Sequence, residues 1–205
     1  MKLSIILAFI FSLFPSYLFA EERFELQIKP PPAWSGWKQT GSFPSERLKL
    51  DTLVPANAFP GSLKDLITVT HTWGDSQADA PFRLTNAWAQ HLATSCPNLS
   101  VVPPKLKDEG VFSVAYAQFF CPKRSDSNEG SMDFAKVIST NNSAVLVVIA
   151  QRTSSYTNPV PGPIQYEDNA ETIAFVEWLK SASDYLSSVH VCLKDESGTN
   201  KKCSP

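Results

Sequence analysis

Two segments of the chain carry the hydrophobic patterns that are typical of β-strands. In residues 66–73, apolar or aromatic side chains alternate with three threonines, so the two sets are expected on opposite faces of a strand. Residues 144–150 are apolar without interruption and rich in valine and isoleucine. Such a run predicts a central strand that is buried on both faces.

Two other segments have helical periodicity. Leu84, Trp88 and Leu92 recur at every fourth position, which predicts a helix over residues 81–96 with one apolar stripe. Residues 169–190 repeat apolar side chains in the same way and predict a second helix. These two helices are the longest regular elements that the pattern indicates.

Weaker alternation predicts additional extended segments, at residues 24–28, 46–54, 111–121 and 134–140. The last of these pairs naturally with residues 144–152 across an Asn-Asn turn. Residues 101–110 and 153–168 are polar and contain several prolines, so both are predicted to be irregular connections. Strands joined by hairpins, together with two helices, indicate an α+β fold: an antiparallel sheet of about five to six strands covered by two main helices.

The first 20 residues have the pattern of a secretory signal peptide. Lys2 precedes an almost wholly apolar run, and Ala20 precedes two glutamates. We therefore expect cleavage after Ala20 and an exported protein, periplasmic or secreted, without a stable membrane anchor. The alternative is an uncleaved anchor, but Pro15 would interrupt its helix. The expected organisation is a signal peptide at 1–20, one α+β domain at 21–192 and a polar, disulfide-tethered tail at 193–205.

All four cysteines follow the predicted signal peptide, and an even number in an exported chain indicates disulfides. Four cysteines permit three pairings. We favour Cys96–Cys121, which joins the end of a predicted helix to the end of a predicted strand, with Cys192–Cys203, which closes a short polar loop. No Cys-x-x-Cys motif or zinc-finger spacing is present, so we expect the cysteines to be structural.

The net charge excludes one broad class of function. The chain has 18 basic and 20 acidic side chains, a formal charge of −2. Only Lys2 is charged within the first 20 residues, so the mature chain would have 17 basic and 20 acidic side chains and a charge of −3. We therefore expect no nucleic-acid partner, because such binding depends on neutralising phosphates.

The order of elements and the cysteine positions resemble those of Mog1/PsbP-like α/β/α sandwich proteins, and more narrowly those of small exported proteobacterial proteins of unassigned function. The resemblance covers roughly residues 35–192. It is carried by the strand ending at Val54-Pro55, the segment 63–70, the helix ending at Cys96, the strand ending at Cys121, the strand at 144–152 and the final helix ending at Cys192. The resemblance implies a binding or assembly protein and supplies no catalytic residues.

The chain contains none of the local motifs that mark common catalytic or metal sites, such as G-x-S-x-G, H-E-x-x-H or a glycine-rich phosphate loop. His71, His91 and His190 lack metal-ligand spacing, so we predict no metal site, no cofactor and no local catalytic group. His71 lies within a predicted strand and is the histidine to examine if a catalytic site is formed by residues distant in the sequence.

Aromatic side chains beside proline-rich segments are the predicted ligand-binding residues. Trp34 and Trp37 follow three consecutive prolines, while Tyr156 and Tyr166 lie in the long connection 153–168. Tryptophan and tyrosine are enriched at binding surfaces because they combine large apolar area with a hydrogen-bonding group. The sequence thus favours an exported, non-enzymatic binding protein with a protein or small-molecule partner. The alternative is a secreted hydrolase or virulence effector with a nonlocal catalytic site.

Overall fold

A computed structural model describes residues 24–27, 37–45, 47–55, 65–74, 79–156, 170–194 and 201–204 of the chain. Within these ranges, backbone hydrogen bonding defines ten strands and two helices. In chain order they are β1 (Phe24–Gln27), β2 (Trp37–Pro44), β3 (Leu48–Pro55), β4 (Asp65–Trp73), α1 (Ala80–Ala93), β5 (Ser100–Glu109), β6 (Phe112–Cys121), β7 (Glu129–Ser139), β8 (Ser143–Ser154), α2 (Ala170–Ser188), β9 (His190–Lys194) and β10 (Lys201–Cys203).

Seven strands form one antiparallel sheet in the order β2-β3-β4-β8-β7-β6-β5. The central strand is β8, which pairs with β4 on one side and β7 on the other. Its residues from Ala144 to Ile149 are all buried, as expected for an apolar run that meets a packed layer on each face. The uninterrupted run in the sequence thus marks the centre of the sheet.

The helices cover opposite faces of this sheet. Leu84 and Leu92 of α1 pack against a face that includes Phe119, Val137 and Leu146. On the other face, a cluster with α2 side chains contains Trp178, Ala182, Tyr185 and Leu186, together with Ile67, Val114, Val147 and Ile149 of the strands. Alternate residues of a strand point to opposite faces, so one sheet supplies two separate apolar cores.

A second, three-stranded sheet joins the two ends of the described chain, with β9 between β1 and β10. Cys192 of β9 lies opposite Cys203 of β10, and the two form a disulfide. Beyond β10, the Ser204 amide donates to the Val191 carbonyl at 2.8 Å, and the Val191 amide donates to the Ser204 hydroxyl at 3.1 Å. The C-terminal residues are therefore held by backbone pairing as well as by the disulfide.

The predicted architecture, an α+β sandwich with five to six strands covered by two main helices, is wrong. The described chain is dominated by its seven-stranded antiparallel sheet, with three more strands in the small sheet and only two helices. The pattern underestimated the sheet because strands at its edges lack the alternation of half-buried strands. Strand content, and not helical cover, defines this fold.

Strand β5 shows most clearly why the sheet was underestimated. It spans Ser100–Glu109, a segment that the sequence predicts as a connection because of Pro103 and Pro104. Most of its side chains are exposed, and its pairing with β6 shifts register between Val102 and Lys105. Proline removes a ladder donor but is tolerated on an edge strand, and the bulge accommodates the one extra residue of β5. The composition of a loop is therefore compatible with a ten-residue edge strand.

Both predicted disulfides are present. Cys96 bonds to Cys121 with a Cα–Cα distance of 5.8 Å and joins the turn after α1 to the end of β6, while Cys192 bonds to Cys203. Two disulfides fit an exported protein, because such bonds persist in oxidising compartments. Across the described ranges, no helix is both long and apolar enough to span a bilayer.

Candidate functional site

A groove lies on the sheet face that α2 covers, between this helix and strands β6 and β7. Its volume is about 310 Å³, and we call it the α2 groove. Its lining comprises Tyr116, Ala117, Gln118, Phe120, Phe134, Ala135, Leu179, Ser183 and Leu186. The volume is at the lower end of the range that small-molecule sites occupy, and the lining is mostly apolar with a few polar groups.

The strand side of the groove follows from the pairing of β6 with β7. Tyr116, Gln118 and Phe120 alternate along β6, so all three point to the α2 face. Phe134 lies directly opposite Gln118 on β7. The rings of Phe120 and Phe134 meet edge to face at a centroid distance of 6.2 Å. This geometry is favourable for aromatic pairs and forms a fixed aromatic wall.

The helix side is fixed by Trp178. Its ring packs edge to face on Phe134 at a centroid distance of 5.5 Å, and its indole nitrogen donates to Asp65 of β4 at 3.2 Å. These contacts hold α2 over β4, β8 and β7. Leu179 and Ser183, one turn apart on α2, then face the strands beyond this anchor. Ser183 is small at a position where a larger side chain would fill the space, and this leaves the groove open.

A buried lysine lies beside the Tyr116 end of the groove. Lys136 is paired with Tyr116 across β6 and β7, and its ammonium lies 5.5 Å from the centroid of the Tyr116 ring. The ammonium donates to the Val189 carbonyl at 2.8 Å, just after the end of α2, where positive charge is favourable. Burial lowers the pKa of Lys136 to about 8, and the negative charge of Glu109 opposes this change. Lys136 thus fastens β7 to α2 and adds positive potential near the groove.

The aromatic residues predicted to bind a ligand are only partly within the described chain. Trp34 and Tyr166 lie outside it, as does the side chain of Trp37, whose backbone begins β2 opposite Pro55. Tyr156 follows β8, and its amide donates to the Pro122 carbonyl beyond β6. Strands β3, β4 and β8 separate the Trp37 backbone from the β7–β6 region where Tyr156 lies, a distance of about 19 Å at the usual strand spacing.

Tyr156 itself makes close internal contacts. Its hydroxyl donates to the Ser131 carbonyl at 3.0 Å, and its ring lies over Gly130, where a β-carbon would be 2.7 Å from Cε1. Burial raises the pKa of Tyr156, and the nearby Asp133 charge adds to this effect. The ring therefore covers the start of β7, and the role of Tyr156 in ligand binding stays a prediction.

A polar cluster surrounds His71 near one edge of the sheet. The Asp51 carboxylate accepts hydrogen bonds from Gln39 and Ser42, each at 2.8 Å, and lies 2.9 Å from the Lys49 ammonium. Burial acts to raise the pKa of Asp51, but the hydrogen bonds from Lys49 and Ser42 outweigh it and hold that pKa below its usual value. Two neutral hydrogen-bond donors and one lysine therefore satisfy this carboxylate.

His71 lies opposite Lys49, and its ring meets Trp73 edge on at a centroid distance of 5.1 Å. Burial is the main cause that lowers its pKa, and the Lys49 charge adds to it, whereas Asp51 opposes it. Ser42 donates to Asp51 and not to the imidazole. A serine nucleophile needs a histidine base as its acceptor, so these residues do not form the hydrogen-bonded relay of a serine hydrolase.

The other two histidines have different surroundings. His91 is exposed on α1 with its ring 5.5 Å from that of Trp88, while His190 Nδ1 lies 2.8 Å from the Ser204 carbonyl. Within the described ranges, no three histidine, cysteine, aspartate or glutamate side chains come together as a metal site would require.

Sequence reasoning missed the α2 groove, although one signal for it was present. The aromatic side chains of β6 were evident, but nothing local indicated that they face a helix about 60 residues later in the chain. The signal is Ser183, a small polar residue beside the apolar stripe of the final helix. No protein-family model matches this chain, and no curated protein matches it, so the site is interpreted from its own geometry.

Proposed function

We propose that this is an exported binding protein that holds an apolar ligand, without transforming it, in the α2 groove. The supporting observation is the groove itself: an open site of about 310 Å³ walled by Tyr116, Phe120, Phe134 and Leu179. Sites of this kind derive affinity from removing apolar ligand surface from water, and their few polar groups orient the ligand. Gln118 and Ser183 are those polar groups here.

Two further points support binding over catalysis. Neither Gln118 nor Ser183 has a neighbouring base in the groove lining, so the groove offers no activated nucleophile. The resemblance to small exported proteins also led us to expect a binding or assembly role. In this proposal the mature protein acts in the periplasm or outside the cell, and its partner is a small molecule or an apolar side chain of another protein.

The test is to fill the groove from α2. Ser183→Phe places a ring in the groove, and Asp184→Phe adds the same ring at the next, exposed position, which is not part of the lining. We expect wild type and Asp184→Phe to bind the neutral fluorescent probe N-phenyl-1-naphthylamine with similar affinity. Ser183→Phe should weaken binding at least tenfold, because the added ring occupies the ligand volume.

Melting curves and far-UV circular dichroism establish that both variants are folded. Equal probe binding by Ser183→Phe and wild type would show that the probe binds elsewhere and would contradict the proposal. Lack of probe binding by wild type would contradict it too.

A further inference from the structure

The charges around the α2 groove are unevenly distributed. Lys107 forms an ion pair with Glu109 on the edge strand β5, and the Glu109 charge also acts on Lys136. On α2, Lys180 and Asp184 are both exposed and four residues apart, a spacing at which opposite charges offset one another. In each of these two pairs a positive charge has a negative charge close to it in the sequence.

Lys105 is different. It lies directly opposite Tyr116 in the β5–β6 pairing, so its side chain is on the α2 face and next to the ring that ends the groove. Lys105 is exposed and makes no ion pair within the described part of the chain. The ammonium of Lys136 is on the other side of the same tyrosine, 5.5 Å from its ring centroid.

The Tyr116 end of the groove thus lies between Lys105 of β5, an exposed lysine opposite Tyr116, and the buried Lys136 ammonium of β7, whose charge Glu109 partly offsets. The opposite wall, formed by Phe120, Phe134 and Leu179, is apolar. A ligand complementary to both parts has an apolar, ring-containing body and one negative group at its end. The pairing of opposite potentials across a binding surface gives specificity of this kind.

The edge strand argues against an extended peptide as the ligand. A peptide that adds a strand to a sheet needs free backbone donors and acceptors along the edge. Pro103 and Pro104 have no amide hydrogen, and the bulge around them disturbs the regular ladder of β5. Recognition is therefore expected to depend on the groove and its lysines.

We propose that the α2 groove binds a small aromatic carboxylate, with its ring against Phe120 and Phe134 and its carboxylate beside Lys105. This inference rests on the proposed binding function and specifies its ligand. Lys105 acts as the specificity-determining residue, because it attracts the carboxylate while the apolar wall holds the ring.

The experiment compares two probes that differ in charge, 2-naphthylacetate and 2-naphthylacetamide, by isothermal titration calorimetry at neutral pH and low salt. Wild type should bind the carboxylate about three- to fivefold more tightly than the amide, the size expected for a solvent-exposed ion pair. Lys105→Met should reduce this preference to less than twofold. Lys105→Arg should preserve it, and added salt should weaken it in wild type.

Lys38→Met is the matched control, because Lys38 is an exposed lysine on β2 at the far edge of the sheet. It should leave the preference unchanged. Equal affinity of wild type for the two probes, or a full preference in Lys105→Met, would overturn the carboxylate assignment. If N-phenyl-1-naphthylamine still binds in the groove, only this inference fails; if wild type does not bind N-phenyl-1-naphthylamine, the proposed function fails with it.

Discussion

At the residue scale, Asp133 is an unusual group. It lies on the α1 face of β7 with only 2% of its surface exposed, and its Oδ2 accepts a hydrogen bond from the Trp88 indole at 2.9 Å. Burial raises the pKa of Asp133 to about 6, although the hydrogen bond from Trp88 opposes the change. The carboxyl group connects α1 to the sheet, and its ionised form is poorly solvated there.

Because of this environment, the free energy of unfolding is expected to fall as the pH rises. Because the folded-state pKa of Asp133, about 6, exceeds its unfolded value of 3.8, the folded protein binds the proton more tightly than the unfolded chain. The resulting stability is fully present below pH 3.8 and is lost as the pH rises through 6. We expect this single group to reduce the free energy of unfolding by about 2 kcal/mol between roughly pH 4.5 and 7.5.

Asp133→Asn should remove that decline, because an amide keeps an acceptor for Trp88 and does not ionise. Urea unfolding of wild type and variant at the two pH values measures the difference. Asp184→Asn, at an exposed position on α2, is the control and should follow wild type. An Asp133→Asn variant that follows the wild-type pH dependence would show that Asp133 does not titrate in this range.

At the scale of elements, the Cys96–Cys121 disulfide joins α1 to the sheet. It links positions 25 residues apart, and both cysteines are buried. Cross-linking a chain over such a separation restricts the unfolded state and stabilises the fold by about 3 kcal/mol. Helix α1 has the Trp88–Asp133 hydrogen bond as a second attachment, so loss of the disulfide should weaken the fold without releasing the helix.

We therefore expect Cys96→Ala/Cys121→Ala to fold with wild-type far-UV circular dichroism and a free energy of unfolding lower by about 3 kcal/mol. Urea titrations under oxidising conditions measure this change. Reduced wild-type protein, which has lost the Cys192–Cys203 bond as well, gives the combined effect of both disulfides without cavities left by substitution. A loss below about 1 kcal/mol would mean that the unfolded chain gains little freedom when the bond is absent.

At the scale of the whole molecule, the prediction concerns maturation. The pattern of residues 1–20 leads us to expect that export removes them and that the mature chain begins at Glu21. Intact mass spectrometry of protein recovered from the periplasm or medium should give the mass of residues 21–205, less four hydrogens for the two disulfides. Full-length chain in the membrane fraction would support the anchor alternative instead.

The sequence by itself determined the elements whose pattern is strong, and it favoured the cysteine pairing that the structure contains. Three elements follow directly from local patterns: the apolar run of β8, the alternation of β4 and the apolar stripe of α1. A strand side chain changes face at every residue and a helix stripe returns after three or four residues, so each pattern indicates its element. Cys96 and Cys121 were paired correctly because each lies at the end of a predicted regular element. In these cases, the neighbours in the sequence already reveal which face of the element is buried.

Only the tertiary structure decided the extent of the sheet and the position of the groove. Strand β5 is an edge strand whose side chains are mostly exposed, so the burial that would give it a pattern is missing. The groove combines β6, β7 and α2, and it exists because Trp178 anchors the helix on Phe134 while Ser183 leaves space beside it. Such a site depends on distances between elements far apart in the chain, and local periodicity contains no information about those distances.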